Sequence, residues 1–298
     1  MVARYGAGTR RATLLALTTS HVISKRKDDS AAMAFLHRKS RSRSEPALCY
    51  VSLHEIMNAN RKPSRKHRPR GLDILHEDRD LFVVDKEAGV LTTGTRRDET
   101  FTAENVLNDY VRKGCARSSK HVWLVHRLDR ETSGVLLFAK TEEAQQHLKD
   151  NWKATEKLYL AVVRGHLAEK RGMFSSYLTE NEDLYVFSTN DPSRGKLSQT
   201  AYTVIKETPA LSFVKIRLLT GRKNQIRVHF AEAQHPVLGD PKYGRDKQFR
   251  ERLCLHAKSI AFDHPHSGKR LFFDTPIPVT FARLAQGLTE ADWQNAEV

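Results

Sequence analysis

What most limits the fold open to this chain is a break near residue 70. Up to that point 16 lysines and arginines face only 4 acids, a net charge of +12, whereas the remaining 228 residues hold 34 bases and 31 acids. Hydrophobic periodicity before the break is weak. Lys39-Ser40-Arg41-Ser42-Arg43-Ser44 and the run Arg61–Arg70 read as disordered basic arm. Such an arm attracts polyanions without reading their sequence. The packed core must therefore come from residues 71–298, and any specific chemistry from local clusters within them rather than from global charge.

Ile74-Leu75 and Leu81–Asp85 read as two short strands around a charged turn. Thr102 with Val106, Leu107, Tyr110 and Val111 predicts an N-capped helix ended by Gly114. Gly134 opens a strand that runs to Lys140, and Thr141 caps a helix with Ala144, Leu148 and Trp152 on one face. Leu158–Val163, Thr200–Ile205, Phe213–Leu219 and Leu271–Phe273 read as further strands, and Gln225–Gln234 as a helix. Strands dominate without regular βαβ alternation. The expectation is α+β: a mixed, largely antiparallel central sheet with flanking helices and loops. No run approaches the roughly 18 apolar residues of a membrane span. The three cysteines are dispersed, which disfavours a disulfide framework or a cysteine zinc site and suits a reducing compartment.

Three clusters can carry chemistry. In His126-Arg127-Leu128-Asp129-Arg130-Glu131-Thr132-Ser133-Gly134 a carboxylate lies between two arginines just before an apolar strand. Opposite charge nearby favours the ionised form, and an ionised aspartate at such a junction can serve as nucleophile or general base. A salt-bridged surface turn is the bland alternative. Gly221-Arg222-Lys223-Asn224-Gln225-Ile226-Arg227-Val228-His229 gathers three cations and two amides at a helix start, which suits phosphate binding or a solvated basic face. In Lys157–Gly165, Tyr159 is either a core residue or a platform for a base. His229, His235, His256, His264 and His266 form no H-E-x-x-H, so no metal is expected. Neither a P-loop nor a G-x-S-x-G motif occurs.

In this order the clusters resemble the RluA-type family of RNA pseudouridine synthases. His126-Arg127-Leu128-Asp129-x-x-Thr132-Ser133-Gly134 is similar to its signature loop, and Lys157-x-Tyr159-x-Ala161-x-Val163-x-Gly165 to its tyrosine-bearing strand. Gly221-Arg222-x-x-Gln225-Ile226-Arg227-Val228-His229, His235-Pro236 and Gly239-Asp240-x-x-Tyr243-Gly244 resemble its third motif. The likeness runs from about residue 71 to about residue 285. Two positions depart from it. Asp85-Lys86-Glu87-Ala88-Gly89 stands where the family has Asn-Lys-Pro-x-Gly, and Asn224 stands where it often has His.

The resemblance implies a pseudouridine synthase fold over residues 71–298, after an arm or targeting extension at 1–70. It implies an isomerase that needs no cofactor and turns uridine into pseudouridine in a structured RNA, ribosomal RNA first and transfer RNA second. Asp129 would be the essential carboxylate, Arg227 its partner, and Tyr159 the ring against the target base. Arg127 would fill the space left by the flipped base, with Arg130, Arg222, Lys223, Asn224 and Gln225 as further RNA contacts. The alternative function is a catalytically inactive RNA-binding or ribosome-assembly factor. A glycosidase is disfavoured because Glu131 is the only second acid nearby. A cytoplasmic monomer is expected. Residues 1–27, which lack acids, also resemble a mitochondrial transit peptide.

Overall fold

A computed structural model describes residues 69–298 apart from 95–100, 114, 116, 245–248 and 250. The basic arm, as far as residue 68, and the expected helix stop at Gly114 thus lie outside the described residues.

β1 (Leu72–Glu77) and β2 (Leu81–Lys86) form an antiparallel hairpin. Asp78 shapes its turn, accepting through Oδ1 from the N–H groups of Asp80 and Leu81 at 2.7 and 2.9 Å. α1 (Ala103–Arg112) starts where expected, with Thr102 Oγ1 accepting from the Asn105 N–H at 3.1 Å. It closes on Lys113, which adopts a left-handed conformation at φ 51°. β3 (Trp123–Leu124) and β4 (Ser133–Ala139) follow. α2 (Glu142–Asp150) is capped by Thr141. Trp152, expected on its apolar face, instead opens a 3-10 turn, Trp152–Ala154. At the helix end the Asn151 side-chain Nδ2 donates to the His147 carbonyl, which already takes the Asn151 backbone N–H, a local side-chain bond that competes with a further helical turn.

The rest of the chain is β5 (Glu156–Arg164), β6 (Arg171–Glu180), β7 (Val186–Thr189), β8 (Lys196–Thr208), β9 (Leu211–Leu218), α3 (Gln225–Glu232), β10 (Leu255–Asp263), β11 (Arg270–Asp274), α4 (Val279–Leu284) and α5 (Glu290–Gln294). The strands form one sheet in the order β1-β2-β4-β10-β5-β9-β8-β6-β7, with β3 on β4 and β11 on β10. Among the strand pairs of the described residues only β4–β10 is parallel. The expected mixed, largely antiparallel α+β fold is what forms. Among the described residues no helix is long and apolar enough to cross a membrane.

Alternation along the strands gives the sheet two apolar faces. Phe82, Val84, Leu136, Phe138, Tyr159 and Ala161 pack on one side with Leu107 of α1 and Ile226 and Phe230 of α3. Leu81, Val83, Val135 and Leu137 pack on the other with α2, beside a cluster in which Leu160, Val162 and Phe213 meet α4 and α5. All seven β4 residues are buried, so the strand reads as a continuous apolar run. Each fully enclosed Leu or Phe contributes about 1.5–3 kcal/mol. β4 and β10 approach closely at Gly134, where φ is 111° and a Cβ would lie 2.2 Å from the Ala257 carbonyl oxygen. Glycine is required there, and the contact fixes the strand start just beyond Asp129.

Candidate active site

Asp129 lies in the loop between β3 and β4, and Arg227 on α3, 98 residues later in the chain. Arg227 Nη1 donates to Asp129 Oδ2 at 3.0 Å and to Asn224 Oδ1 at 2.9 Å. Its Nε and Nη2 donate to the two oxygens of Asp240, each at 2.8 Å. Burial alone would lower the guanidinium pKa, but the hydrogen bonds and charge of Asp240, with Asp129, outweigh it and raise the pKa. Asp240 also accepts through Oδ1 from the N–H groups of Lys242 and Tyr243. Arg227 is therefore a fixed cation held in a plane by a bidentate pair.

The Asp129 loop is tied down on both sides. Thr92 Oγ1 donates to the Leu128 carbonyl at 2.8 Å and accepts from the Leu128 N–H at 3.1 Å. The Arg130 carbonyl accepts from the Gly89 N–H at 2.8 Å and from Lys86 Nζ at 3.2 Å. Lys86 is fully enclosed, also donates to the carbonyls of Glu87 and Val90, and has its pKa pushed down to about 8 by burial. Ser133 Oγ meets Arg252 Nη2 at 2.5 Å and His256 Nδ1 at 2.6 Å. A carboxylate on such a loop is positioned before any substrate arrives.

Asp129, Arg227 and Tyr159 line one cavity of about 910 Å³, walled by eight lysines and arginines and two carboxylates, Asp129 and Glu180. Glu180 is paired with Lys223 Nζ. Tyr159, on β5, is 8% exposed; burial and then the charge of Asp129 hold its pKa above that of a free phenol. It is a neutral ring at neutral pH. Lys157, on the same face of β5, lines the cavity and is pushed down to about 8 by burial. His126 is pushed down to about 3 by burial and by Lys157, and its Nε2 accepts from the Leu137 N–H at 3.1 Å, so it carries no charge. Glu131 does not line the cavity.

Arg127, Arg130, Arg222 and Lys223 lie on the cavity wall with exposed side chains. Asn224 and Gln225 line it too, but their amides are engaged within the protein. Asn224, at φ 55°, accepts from Arg227 and donates to the Tyr243 hydroxyl at 3.2 Å. Gln225 Oε1 accepts from Thr220 Oγ1 and the Arg222 N–H, and its Nε2 donates to the Gln199 carbonyl and Thr200 Oγ1. With both lone pairs and both hydrogens used, Gln225 holds the α3 start in place. Sequence reasoning did not single out Asp240, Lys86 or Thr92 for the site. Gly239-Asp240 soon after His235-Pro236 was a usable signal, whereas Thr92 carried none.

Of the histidines checked for metal, His264 lies beside Asp78 and Asp80. Its Nδ1 accepts from the N–H groups of His266 and Ser267 at 3.1 Å, so Nε2 carries the hydrogen and donates it to Asp78 Oδ2 at 3.0 Å. That nitrogen has no lone pair to offer an ion, and the group ties the first hairpin to the turn after β10.

A mixed sheet thus carries a basic cavity around an aspartate–arginine pair and a buried tyrosine, an arrangement that suits a polyanionic substrate. Residues 80–232 match the sequence model of a family described as RNA pseudouridylate synthase. The chain is 32% identical over 221 residues to the uncharacterized RNA pseudouridine synthase YjbO of Bacillus subtilis, covering 74% of this chain and 77% of that protein. It is 33% identical over 256 residues to ribosomal large subunit pseudouridine synthase D of Neisseria meningitidis, covering 76% and 67%. Among solved structures, human RNA pseudouridylate synthase domain containing 1 superposes with a TM-score of 0.56 at 28% identity, over 70% of this chain and 84% of that one. Human RNA pseudouridylate synthase domain containing 4 shares the fold, with a TM-score of 0.61 at 21% identity over 72% and 94%. The chain belongs to the RNA pseudouridine synthases, isomerases that convert uridine to pseudouridine.

Proposed function

We propose that residues 71–298 form the catalytic domain of an enzyme that isomerises a flipped-out uridine in structured RNA, with ribosomal RNA as the first candidate, and that Asp129 is its essential group. Atoms balance within the uridine. The N1–C1′ bond breaks, the base turns, and a C5–C1′ bond forms; C5 loses a proton, N1 gains one, and no electron is exchanged. As N1 leaves, positive charge develops at the sugar carbon, and the Asp129 carboxylate stabilises or attacks that centre. Arg227 aims the carboxylate. Tyr159 packs its neutral ring on the base, and Arg127 stacks into the helical space the base has left. Extrusion costs a few kcal/mol, least in loops and bulges, so an unpaired uridine is the favoured target.

The observation that carries this reading is the 3.0 Å contact between Asp129 and Arg227 in a cavity shared with Tyr159. Ribosomal RNA is supported by the relatives named ribosomal large subunit pseudouridine synthase D, from Neisseria meningitidis and Nitrosomonas europaea. The free thiols of Cys115 and Cys254 fit a reducing compartment such as the cytoplasm. The test is a pseudouridine map of ribosomal and transfer RNA from cells lacking the gene, complemented with the intact gene or with Asp129→Asn. One or more ribosomal sites should vanish, return with the intact gene, and stay absent with Asp129→Asn. Identical maps in all strains would leave a binding role instead.

A further inference from the structure

A second cavity, of about 770 Å³, opens where the chain approaches the Asp129 loop. Residues 119–121 and 123 help to line it and residues 124–130 line the Asp129 cavity, so consecutive stretches of one backbone run wall the two cavities. Trp123 and Asp129 are six positions apart in the sequence, a span of at most about 20 Å.

Its walls combine rings and cations. The exposed His121 ring lies 3.8 Å from that of Trp123 at 37°, and its Nδ1 lies 3.0 Å from the Ser119 carbonyl oxygen. Four cations face the cavity, Arg79, Lys113, Lys120 and Lys140, against one carboxylate, Glu77. Glu77 is already held by Lys140 Nζ at 2.9 Å and by the Tyr110 hydroxyl at 3.1 Å. Lys113 and Lys120 are exposed at the end of α1 and in the loop after it. That loop is braced by Arg112 Nε, which donates to the Lys120 carbonyl at 2.9 Å.

Resting on the reading of this protein as an RNA enzyme, we propose that this cavity is a second RNA subsite. It takes an unpaired nucleotide a short way along the strand from the target uridine. The base stacks on the His121–Trp123 pair, since every base offers a π-face, and its phosphate lies between Lys113 and Lys120. An acidic peptide would satisfy the cations but leave the rings without a partner. The run of backbone that passes from one cavity wall to the other favours one RNA strand engaging both.

The test measures binding of a fluorescein-labelled oligouridylate of about twelve nucleotides to the full chain by anisotropy across a salt series, with kcat/KM on RNA in parallel. His121→Ala should weaken binding about fivefold or more, the lower range for one stacked base. Lys113→Ala with Lys120→Ala should reduce the log–log salt slope by about 0.7 per cation removed. Lys113→Arg with Lys120→Arg should restore it. Quenching of tryptophan fluorescence by the oligonucleotide should shrink in Trp123→Phe, which keeps an aromatic ring in the fold. Affinities within twofold of the parent and an unchanged slope would overturn the subsite, as would equal competition by polyglutamate. Asp129→Asn separates this proposal from the catalytic reading. Turnover that persists in it sinks the role of Asp129, whereas oligouridylate affinity that falls in the His121 and lysine variants upholds the subsite either way.

Discussion

Arg227 holds two carboxylates brought by different loops, and the loops treat them differently. Asp240 comes from the turn after α3. Its side chain is wholly enclosed, and its oxygens take two guanidinium nitrogens and two backbone N–H groups. Asp129 comes from the loop before β4, is 30% exposed, and is held by one guanidinium nitrogen at 3.0 Å. The first arrangement leaves the carboxylate nothing more to do. The second leaves part of it open to the cavity, aimed but not used up. A guanidinium can do both because its fork gives one edge to each partner; on the function proposed above, the buried pair is the mount and the open pair the reactive end.

Substitution should split these roles. Asp129→Asn keeps shape and removes charge; turnover should fall about 10³–10⁴-fold, some 4–5.5 kcal/mol of barrier, with little change in melting temperature. Single-turnover assays and thermal melts on one preparation check both halves. Asp240→Asn should do the reverse first. It strands a buried guanidinium and should cost about 3 kcal/mol of stability or more, read from urea midpoints, with activity falling as Arg227 swings free. If Asp240→Asn were as stable as the parent and Asp129→Asn unfolded, the division between mount and reactive end would be inverted.

The reactive end was easier to read from sequence than the mount. Asp129, Tyr159 and Arg227 each sit in a dense, patterned segment, and the two-residue spacing of Lys157 and Tyr159 in a strand puts both on one face. Asp240 was visible only as part of a motif, because the chain does not advertise that a carboxylate will be enclosed. Thr92 was invisible, since its role exists only once β2 and the Asp129 loop lie side by side. The same limit applies to the fold. β2, β4 and β5 announced themselves by apolar runs. β10 did not, because His256, Lys258 and Ser259 interrupt it, and those polar groups are buried only thanks to partners elsewhere. Thr275 Oγ1 meets His256 Nε2, and Asp274 and Glu290 meet Lys258 Nζ. β6 alternates exposed and half-buried residues at the poorly covered end of the sheet, so its pattern was faint.

Thr92 offers a smaller test of the same division. Thr92→Val keeps the volume but removes both hydrogen bonds to Leu128, leaving a buried N–H and C=O without that partner. Stability should drop by about 1–3 kcal/mol. If the loop exists to aim Asp129, kcat should fall about tenfold with KM for RNA nearly unchanged. A rise in KM alone would mean that the clamp shapes RNA binding and not the carboxylate.

The mildest effect is expected with acid. His126 and His256 are pushed down to about 3 and His229 to about 4, each chiefly by burial. Below the ordinary histidine value of 6.5 the unfolded chain takes up protons that the folded chain refuses, so stability drains away as pH falls from about 6.5 towards 4. Asp85 works against this. Burial, then the charge of Asp73, raises it to about 6, so the folded chain holds a proton there and gains stability below that pH. Three groups against one leave a net uptake of about two protons on unfolding near pH 5. Urea midpoints between pH 4 and 7 measure that slope directly. His229 supports the mount, its ring nitrogens meeting Thr200 and Ser176 on β8 and β6. His229→Gln should lower the slope by about one proton while leaving the contribution of His126, beside the reactive end, in place. An unchanged slope would show that His229 titrates alike in both states and that the enclosure around α3 is looser than the geometry implies.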